Sequence, residues 1–328
     1  MHNQRLFRLV LAAILLLGIL VAGCAAPAPT PAPTSAPTLT TAPVATAAPA
    51  TATAPAATKA AATSAPAATA GQTTAAPTRV APTTAAKPAG RSPSGLLNVA
   101  LSTFEAETFL PWNGGVARQS YILMIYDVLV YVDPKTDQLV PGLAEKWDLS
   151  KDGKTVTFYL RKGVQFQEGW GEMTSADVKY SIERMIDKTS IGSPAANLRN
   201  IIEKVGAPDP YTVVVTQKLP YIGLVGGYMN DTNAGGIIVS KKYVESVGDE
   251  KANAHPIGTG PYTLAEEHKK GGPIKLVTVP GVENHWRVTP YYKNVNFMLA
   301  PEEATRVAML KNGEADLAPI SYDSIDTV

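Results

Sequence analysis

The chain has 328 residues, a formal net charge of +1 and one cysteine. Six of its 29 lysines and arginines precede residue 95 and all 28 acidic residues follow residue 104, which leaves 23 basic and 28 acidic residues in the remainder. A mildly acidic body argues against a nucleic-acid-binding protein, and one cysteine excludes an internal disulfide. The length allows two domains of ordinary size.

Residues 1–23 have the pattern of a secretory signal peptide. Two arginines precede an apolar run at residues 9–21, which is shorter than the ~20 residues that a membrane-spanning helix needs. The run ends in Val-Ala-Gly-Cys, which resembles the lipobox of bacterial lipoproteins, where the cysteine is acylated and the peptide is cut before it. The resemblance implies that Cys24 is a lipid anchor to the membrane. The alternative is an ordinary signal peptide followed by an incidental cysteine.

Residues 24–93 consist almost only of alanine, proline, threonine and serine, and they include no aromatic residue. Such a composition cannot bury enough apolar surface to offset the loss of chain entropy. We therefore expect a disordered linker with polyproline II character. Roughly 235 residues remain for folded structure, which is enough for a sizeable core.

The folded part is expected to begin with a short apolar strand, Leu96–Leu101. An irregular loop follows at residues 103–116, with three aromatic residues and a Gly-Gly pair. Residues 117–129 have apolar side chains at helical spacing, which predicts a helix. Its buried face is expected to carry Tyr121, Met124, Ile125 and Val128.

The stretch from residue 139 to residue 180 contains the densest local signals. A strand at 147–149, a turn at 150–154 with an Asp-Gly pair, and a strand at 155–160 together predict a hairpin. Thr174 and Asp177 then have the spacing of a helix N-cap and its first turn. The helix face is predicted to carry Val178, Ser181, Ile182 and Met185.

The rest of the chain alternates predicted strands and helices. The Gly-Thr-Gly of residues 258–260 is followed by neither a P-loop lysine nor a dinucleotide fingerprint, so we interpret it as a tight backbone crossing. We expect strands at 211–216, 262–266, 274–279, 295–299 and from 315, and helices at 195–202, 219–229, 241–247 and 301–311, the last with Ala304, Val307 and Leu310 on one face.

Several of these segments resemble one known family. The sequences PGLAEKW, DGKTVTFYLRKGVQF, TSADVKYSIER and PIGTGPY, and the later EEATR and GEAD, are similar to motifs of the family 5 extracellular solute-binding proteins, the peptide- and nickel-type receptors of ABC importers. The resemblance covers residues 97–319. It implies an α/β fold of the periplasmic-binding-protein-like type II (cluster C), in which a mixed-sheet lobe carries an inserted α/β subdomain.

The resemblance also implies a domain division. The first lobe would consist of residues 94–116 and 255–320, and the inserted subdomain of residues 117–254. In the family a second lobe of about 200 residues follows, and the ligand lies between the two lobes. Residues 321–328 would be the start of that lobe, so we expect the chain to be truncated at the C-terminus, with the second lobe missing.

In the family the loop after the first strand lines the ligand cleft. The resemblance therefore implies that Trp112, Asn113, Gly114 and Val116 contact the ligand. The alternative for Trp112 is that it packs at the edge of the domain.

The sequence gives little indication of a catalytic or metal site. It contains neither HExxH nor Gly-x-Ser-x-Gly, the motifs of zinc proteases and of serine hydrolases. Glu266, Glu267 and His268 form an acidic cluster with a histidine, which we interpret as a solvated strand end. We expect no enzyme, no cofactor and no metal site.

The expected function is that of a lipid-anchored, extracytoplasmic substrate-binding component of an ABC importer. The resemblance implies peptides as the ligand, with nickel chelates and small glycans as alternatives, and the permease membrane subunits as partners of a monomeric receptor. Two other functions stay open at this stage. One is a truncated surface lipoprotein that acts as a binding or interaction module without transport, and the other is an extracytoplasmic hydrolase.

Overall fold

The computed structural model describes residues 92–328. The predicted signal peptide, the lipid anchor at Cys24 and the linker lie outside these residues. Within the described range the chain forms two four-stranded sheets and a two-stranded ladder. Six α-helices of the described range accompany them.

The first sheet combines the beginning and the end of the described range. Its order is β1 (Leu96–Leu101), β10 (Asn294–Leu299), β9 (Ile274–Thr278) and β8 (Tyr262–Leu264). β1 and β10 are parallel, and the other two pairs are antiparallel. Both Leu96 and Val277 are paired with Asn294. The end of β9 therefore lies at the edge where β1 begins, opposite the edge where the loop after β1 leaves the sheet.

The second sheet is entirely antiparallel, in the order β4 (Ala144–Leu149), β5 (Thr155–Leu160), β7 (Thr212–Gln217) and β6 (Ile202–Asp209). Alternate side chains of β5 are buried, as expected for a strand with one face on the core. β2 (Val130–Val132) and β3 (Leu139–Pro141) form the separate ladder.

The helices are short, and the hydrogen bonds at the start of α2 (Ser175–Ile186) explain where that helix begins. Asp177 Oδ2 accepts hydrogen bonds from the backbone N–H of Thr174 at 2.9 Å and from its hydroxyl at 3.0 Å, as the sequence predicts. All four residues predicted for its inner face are buried. The helices are α1 (Gln119–Ile125), α2 (Ser175–Ile186), α3 (Ala195–Ile201), α4 (Leu224–Tyr228), α5 (Lys241–Ala254) and α6 (Glu303–Lys311).

The segment 255–262 crosses the end of α1 at very short range. A Cβ atom on Gly258 would lie 2.0 Å from the carbonyl oxygen of Ile125, and one on Gly260 would lie 2.5 Å from that of Met124. Both glycines are therefore required by the close approach of two backbones. This confirms the predicted tight crossing.

The predicted helix at 117–129 is wrong beyond Ile125. Tyr126 is extended, with φ −111° and ψ 155°. Val128 and Val130 then form isolated bridges with Ile237 and Asn230. Residues 126–130, which are apolar except for Asp127, are buried in an extended segment, and periodicity alone does not separate such a segment from a buried helix.

Three other predictions need correction. The helix expected at 219–229 is confined to Leu224–Tyr228, and the one expected at 241–247 continues to Ala254 across Gly248, whose φ is 79°. The predicted face of α6 is also wrong. Ala304 is exposed, whereas Arg306 is buried and donates hydrogen bonds to the carbonyl groups of residues 300, 301 and 319.

Most of the core is one continuous cluster that includes inward-facing side chains of both large sheets. A small alanine cluster, Ala100, Ala300 and Ala315, lies under α6. The domain boundaries after residues 116 and 254 remain predictions. The first sheet takes its strands from both sides of the predicted insertion, and the second sheet from within it.

Candidate functional site

The loop after β1 is held in shape by one buried arginine. All five N–H groups of the Arg118 guanidinium donate to backbone carbonyl oxygens of this loop, at 2.8 to 3.1 Å. Its burial lowers the pKa of Arg118 from its ordinary value, because a dry environment disfavours the charged form. The carbonyl groups belong to Thr108, Leu110, Pro111, Gly114 and Gly115.

This arrangement explains why Gly114 lacks a side chain. A Cβ atom on Gly114 would lie 2.8 Å from Arg118 Nε, and one on Gly115 would lie 2.6 Å from the carboxylate of Glu105. The same carboxylate accepts a hydrogen bond from the backbone N–H of Ala117 at 3.1 Å. The loop therefore has a fixed backbone, which is what a preorganised binding surface requires.

The four residues predicted to contact a ligand differ in exposure. Trp112 is 3% exposed and Gly114 is buried, whereas Asn113 is half-buried and Val116 is 42% exposed. Only Asn113 and Val116 therefore offer side chains to solvent at the surface of this loop.

Trp112 packs inward against α2. The Arg184 guanidinium lies 4.2 Å from the centroid of its ring, and the Tyr180 ring meets it edge-on at 6.3 Å. Its indole N–H is buried and has no hydrogen-bond partner among the described residues. These contacts favour the interpretation that Trp112 packs at the edge of the domain.

The loop is joined to a second segment, residues 190–193, which the sequence did not indicate. The backbone N–H of Ile191 donates to the carbonyl of Trp112 at 3.0 Å, and that of Ser193 donates to the carbonyl of Gly114 at 3.2 Å. Ile191 is 71% exposed. The rim formed by residues 113–116 and 191–193 thus presents apolar side chains above a rigid base. We call this surface the loop rim.

Behind the loop rim, the strained start of the loop is tied to the β8–β9 connection. Glu107 has a positive φ of 48°, and its Oε2 contacts His268 Nε2 at 3.0 Å and the backbone N–H of Gly271 at 2.6 Å. Burial raises the pKa of Glu107, but these hydrogen bonds outweigh it and lower the pKa below its ordinary value. The ring of His268 thus contacts a single carboxylate, and among the described residues no group of three or more metal-ligating side chains is present.

A second buried network centres on Asp127. Its carboxylate accepts hydrogen bonds from the hydroxyls of Tyr131 and Thr259 at 2.7 and 3.0 Å, and from the Trp286 indole at 3.0 Å. Arg287 completes it at 2.8 Å. Burial lowers the pKa of Arg287, but the carboxylate of Asp127 raises it above its ordinary value. The network fixes residues 259 and 286–287 against the segment after α1.

A cavity of about 720 Å³ lies apart from the loop rim, between residues 163–168 and residues 259–286. None of the four predicted ligand contacts lines it.

None of the helices formed by residues 92–328 has the length and the apolar character that a membrane-spanning segment needs.

The chain is similar to a known family of proteins. The sequence model of a family described as "Bacterial extracellular solute-binding proteins, family 5 Middle" matches residues 138–328. The chain is 29% identical to the dipeptide-binding protein of Escherichia coli K12 over 227 residues, which are 63% of this chain and 41% of that protein. It is 33% identical to the glutathione-binding protein GsiB of Shigella boydii over 183 residues, 55% of this chain and 34% of that protein.

A solved structure shares the same architecture. The periplasmic binding protein DppA of Helicobacter pylori, in complex with the peptide STSA, superposes with a TM-score of 0.62 at 26% identity, over 72% of this chain and 49% of that one. The chain spans less than half the length of the relatives that it matches.

Proposed function

Because this chain belongs to family 5 of the bacterial extracellular solute-binding proteins, we propose that it is the substrate-binding component of an ABC importer that takes up peptides. Family membership confirms the resemblance found in the sequence and the expectation of an extracytoplasmic binding protein rather than an enzyme. The predicted α/β type II fold is confirmed by the similarity to solved periplasmic binding proteins.

The observation that carries the peptide proposal is the similarity to the dipeptide-binding protein over 63% of this chain. The glutathione-binding relative agrees with it, because glutathione is itself a tripeptide. Since the chain spans less than half of each relative, the peptide ligand and the permease partner are proposals. A monomer that captures its ligand and docks on the permease is the simplest form of such a receptor.

The loop rim supports this function in physical terms. A backbone that Arg118 already fixes loses little conformational entropy when a ligand binds. We assign ligand contact to Asn113 and Val116, which reach the surface, together with Ile191 on the neighbouring segment. Trp112 and Gly114 act from within, by shaping the loop.

Calorimetric titration of the full-length chain tests the peptide proposal. We expect saturable binding of dipeptides and tripeptides, and no saturable heat from free amino acids. Nickel–histidine and cellobiose represent the two alternative ligand classes. Saturable binding of either in place of the peptides would contradict the proposal, as would the absence of binding by every peptide, while light scattering of the same sample should give the mass of a monomer.

Lipid anchoring through Cys24 is a proposal from the sequence alone. The expected consequence of Cys24→Ser is the loss of the protein from the membrane fraction, because the same thiol carries the lipid and marks the cleavage position. Quantitative fractionation of cells measures it, with the neighbouring Ala26→Ser as a matched control. A variant without the thiol that still sediments with membranes in full would rule out the anchor.

A further inference from the structure

The cavity at residues 163–168 and 259–286 and the loop rim share no residue. Val277 and Thr278 line the cavity, and the end of β9 lies at the edge where β1 begins, as the pairing of Leu96 and Val277 with Asn294 shows. The loop rim follows the other end of β1. A molecule in this cavity would therefore be separate from a peptide at the loop rim.

The size and the walls of the cavity suit a small molecule. Its volume of about 720 Å³ lies within the usual range for ligand pockets, roughly 300–1,000 Å³. Apolar side chains form a large part of the wall, among them Trp286, Val277 and Val279. The Trp286 ring has a fixed orientation, because its N–H donates to the buried carboxylate of Asp127.

Several polar side chains on the wall are free for a ligand. Three threonines and three residues with primary amides line the cavity, and within residues 92–328 the structure gives four of these six side chains no hydrogen-bond partner. These four belong to Thr263, Thr278, Gln165 and Asn284. All four are neutral, and all can both donate and accept hydrogen bonds.

The residues among 92–328 that line the wall include one carboxylic acid, Glu168, and no lysine or arginine. Glu168 Oε1 is already engaged by His255 Nε2 at 2.8 Å. Both ring nitrogens of His285 are engaged, because Nε2 contacts the carbonyl of Thr259 at 2.7 Å and Nδ1 accepts hydrogen bonds from two backbone N–H groups.

We propose that this cavity is a second ligand site, which takes a neutral polyhydroxylated molecule with one apolar face, that is, a small sugar or glycoside. The apolar face packs on the Trp286 ring, an aromatic surface with a fixed orientation. The hydroxyl groups exchange hydrogen bonds with the free amides and hydroxyls on the wall. An anionic ligand finds no lysine or arginine on the wall, and would lose its hydration without compensation.

The test uses the full-length chain and the phenyl β-glycosides of glucose, galactose and mannose. Binding is followed by the NMR shift of the Trp286 indole N–H, assigned with Trp286→Phe. We expect saturable shifts with at least one of these glycosides. Phenyl β-glucuronide has a carboxylate in place of the hydroxymethyl group of the glucoside. It should bind about tenfold more weakly or not at all.

Two variants and a control localise the binding. Asn284→Ala and Thr263→Val each remove one free polar group, and each should weaken binding about three- to tenfold. Asn200→Ala removes an exposed amide on α3, away from the cavity wall, and should bind as the unaltered protein does. Peptide binding should be unchanged in all three. The proposal is overturned if none of the glycosides gives a saturable shift, if the glucuronide binds equally well, or if both wall variants bind normally.

Discussion

Arg118 brings a charge into the protein interior, where carbonyl oxygens take the place of a carboxylate. Five of them contact its guanidinium, and each N–H group has its own acceptor. Carbonyl dipoles can offset the loss of hydration only if the geometry is complete. The loop after β1 therefore depends on this one side chain, which lies outside the set that the sequence singled out.

Arg118→Met should destabilise the protein by about 3 kcal/mol or more, because several buried carbonyl groups lose their donors at once. Urea denaturation measures the effect as a lower midpoint. Lys179→Met is the control. Its partner Glu183 lies 3.8 Å away and both side chains are exposed, so its loss should cost less than about 1 kcal/mol. Equal midpoints for the two variants would contradict the role given to Arg118.

The candidate site residues could be predicted from the sequence only in part. The family resemblance points to a loop whose backbone the structure shows to be fixed by Arg118, yet it does not distinguish the buried Trp112 from the exposed Val116. The burial of residues 112 and 114 depends on residues 190–193, which are distant in sequence and pack against the loop. The only local signal for the Arg118 network is the Gly114-Gly115 pair three residues before the arginine, and this pattern does not predict which groups the arginine contacts.

Elements with complete local signals were predictable. The turn at 150–154 and the Thr174–Asp177 start of α2 depend on neighbours in sequence, and both are present. The segment 126–130 and β6 were not predicted, because their conformation is imposed by distant partners. Asn230 and Ile237 hold the first, and β7 holds the second. Tertiary contacts override local pattern in such places.

The first turn of α6 should respond to acid. Glu303 Oε1 accepts hydrogen bonds from the hydroxyls of Ser321 and Ser324 and from the Ser321 N–H, and these bonds lower its pKa from 4.5 to about 2. A depressed folded-state pKa gives stability that is complete above the unfolded value. It is lost as pH falls from about 4.5 through about 2.

The Ser321 amide resonance reports this contact. We expect its NMR shift to titrate with a midpoint near pH 2 and to become insensitive to acid in Glu303→Gln, which keeps the shape of the side chain without the ionisation. A midpoint at the ordinary glutamate value, or an unchanged titration in the variant, would refute the assignment.

At the scale of the whole molecule, the parallel pairing of β1 with β10 joins the two ends of the described range. No local pattern encodes such a pairing, because the register is chosen by burial on both faces and by the crossover between the strands. Family resemblance supplied the architecture that propensity could not.

Peptide binding at the loop rim can be tested with one pair of variants. Val116→Asp and Leu149→Asp place the same charge at positions of equal exposure, 42% in both, and Leu149 lies at the end of β4 in the second sheet. Calorimetry with the tightest-binding peptide should show affinity at least about tenfold weaker for Val116→Asp and unchanged for Leu149→Asp, with equal melting temperatures. Equal affinities in the two variants would rule out peptide binding at the loop rim.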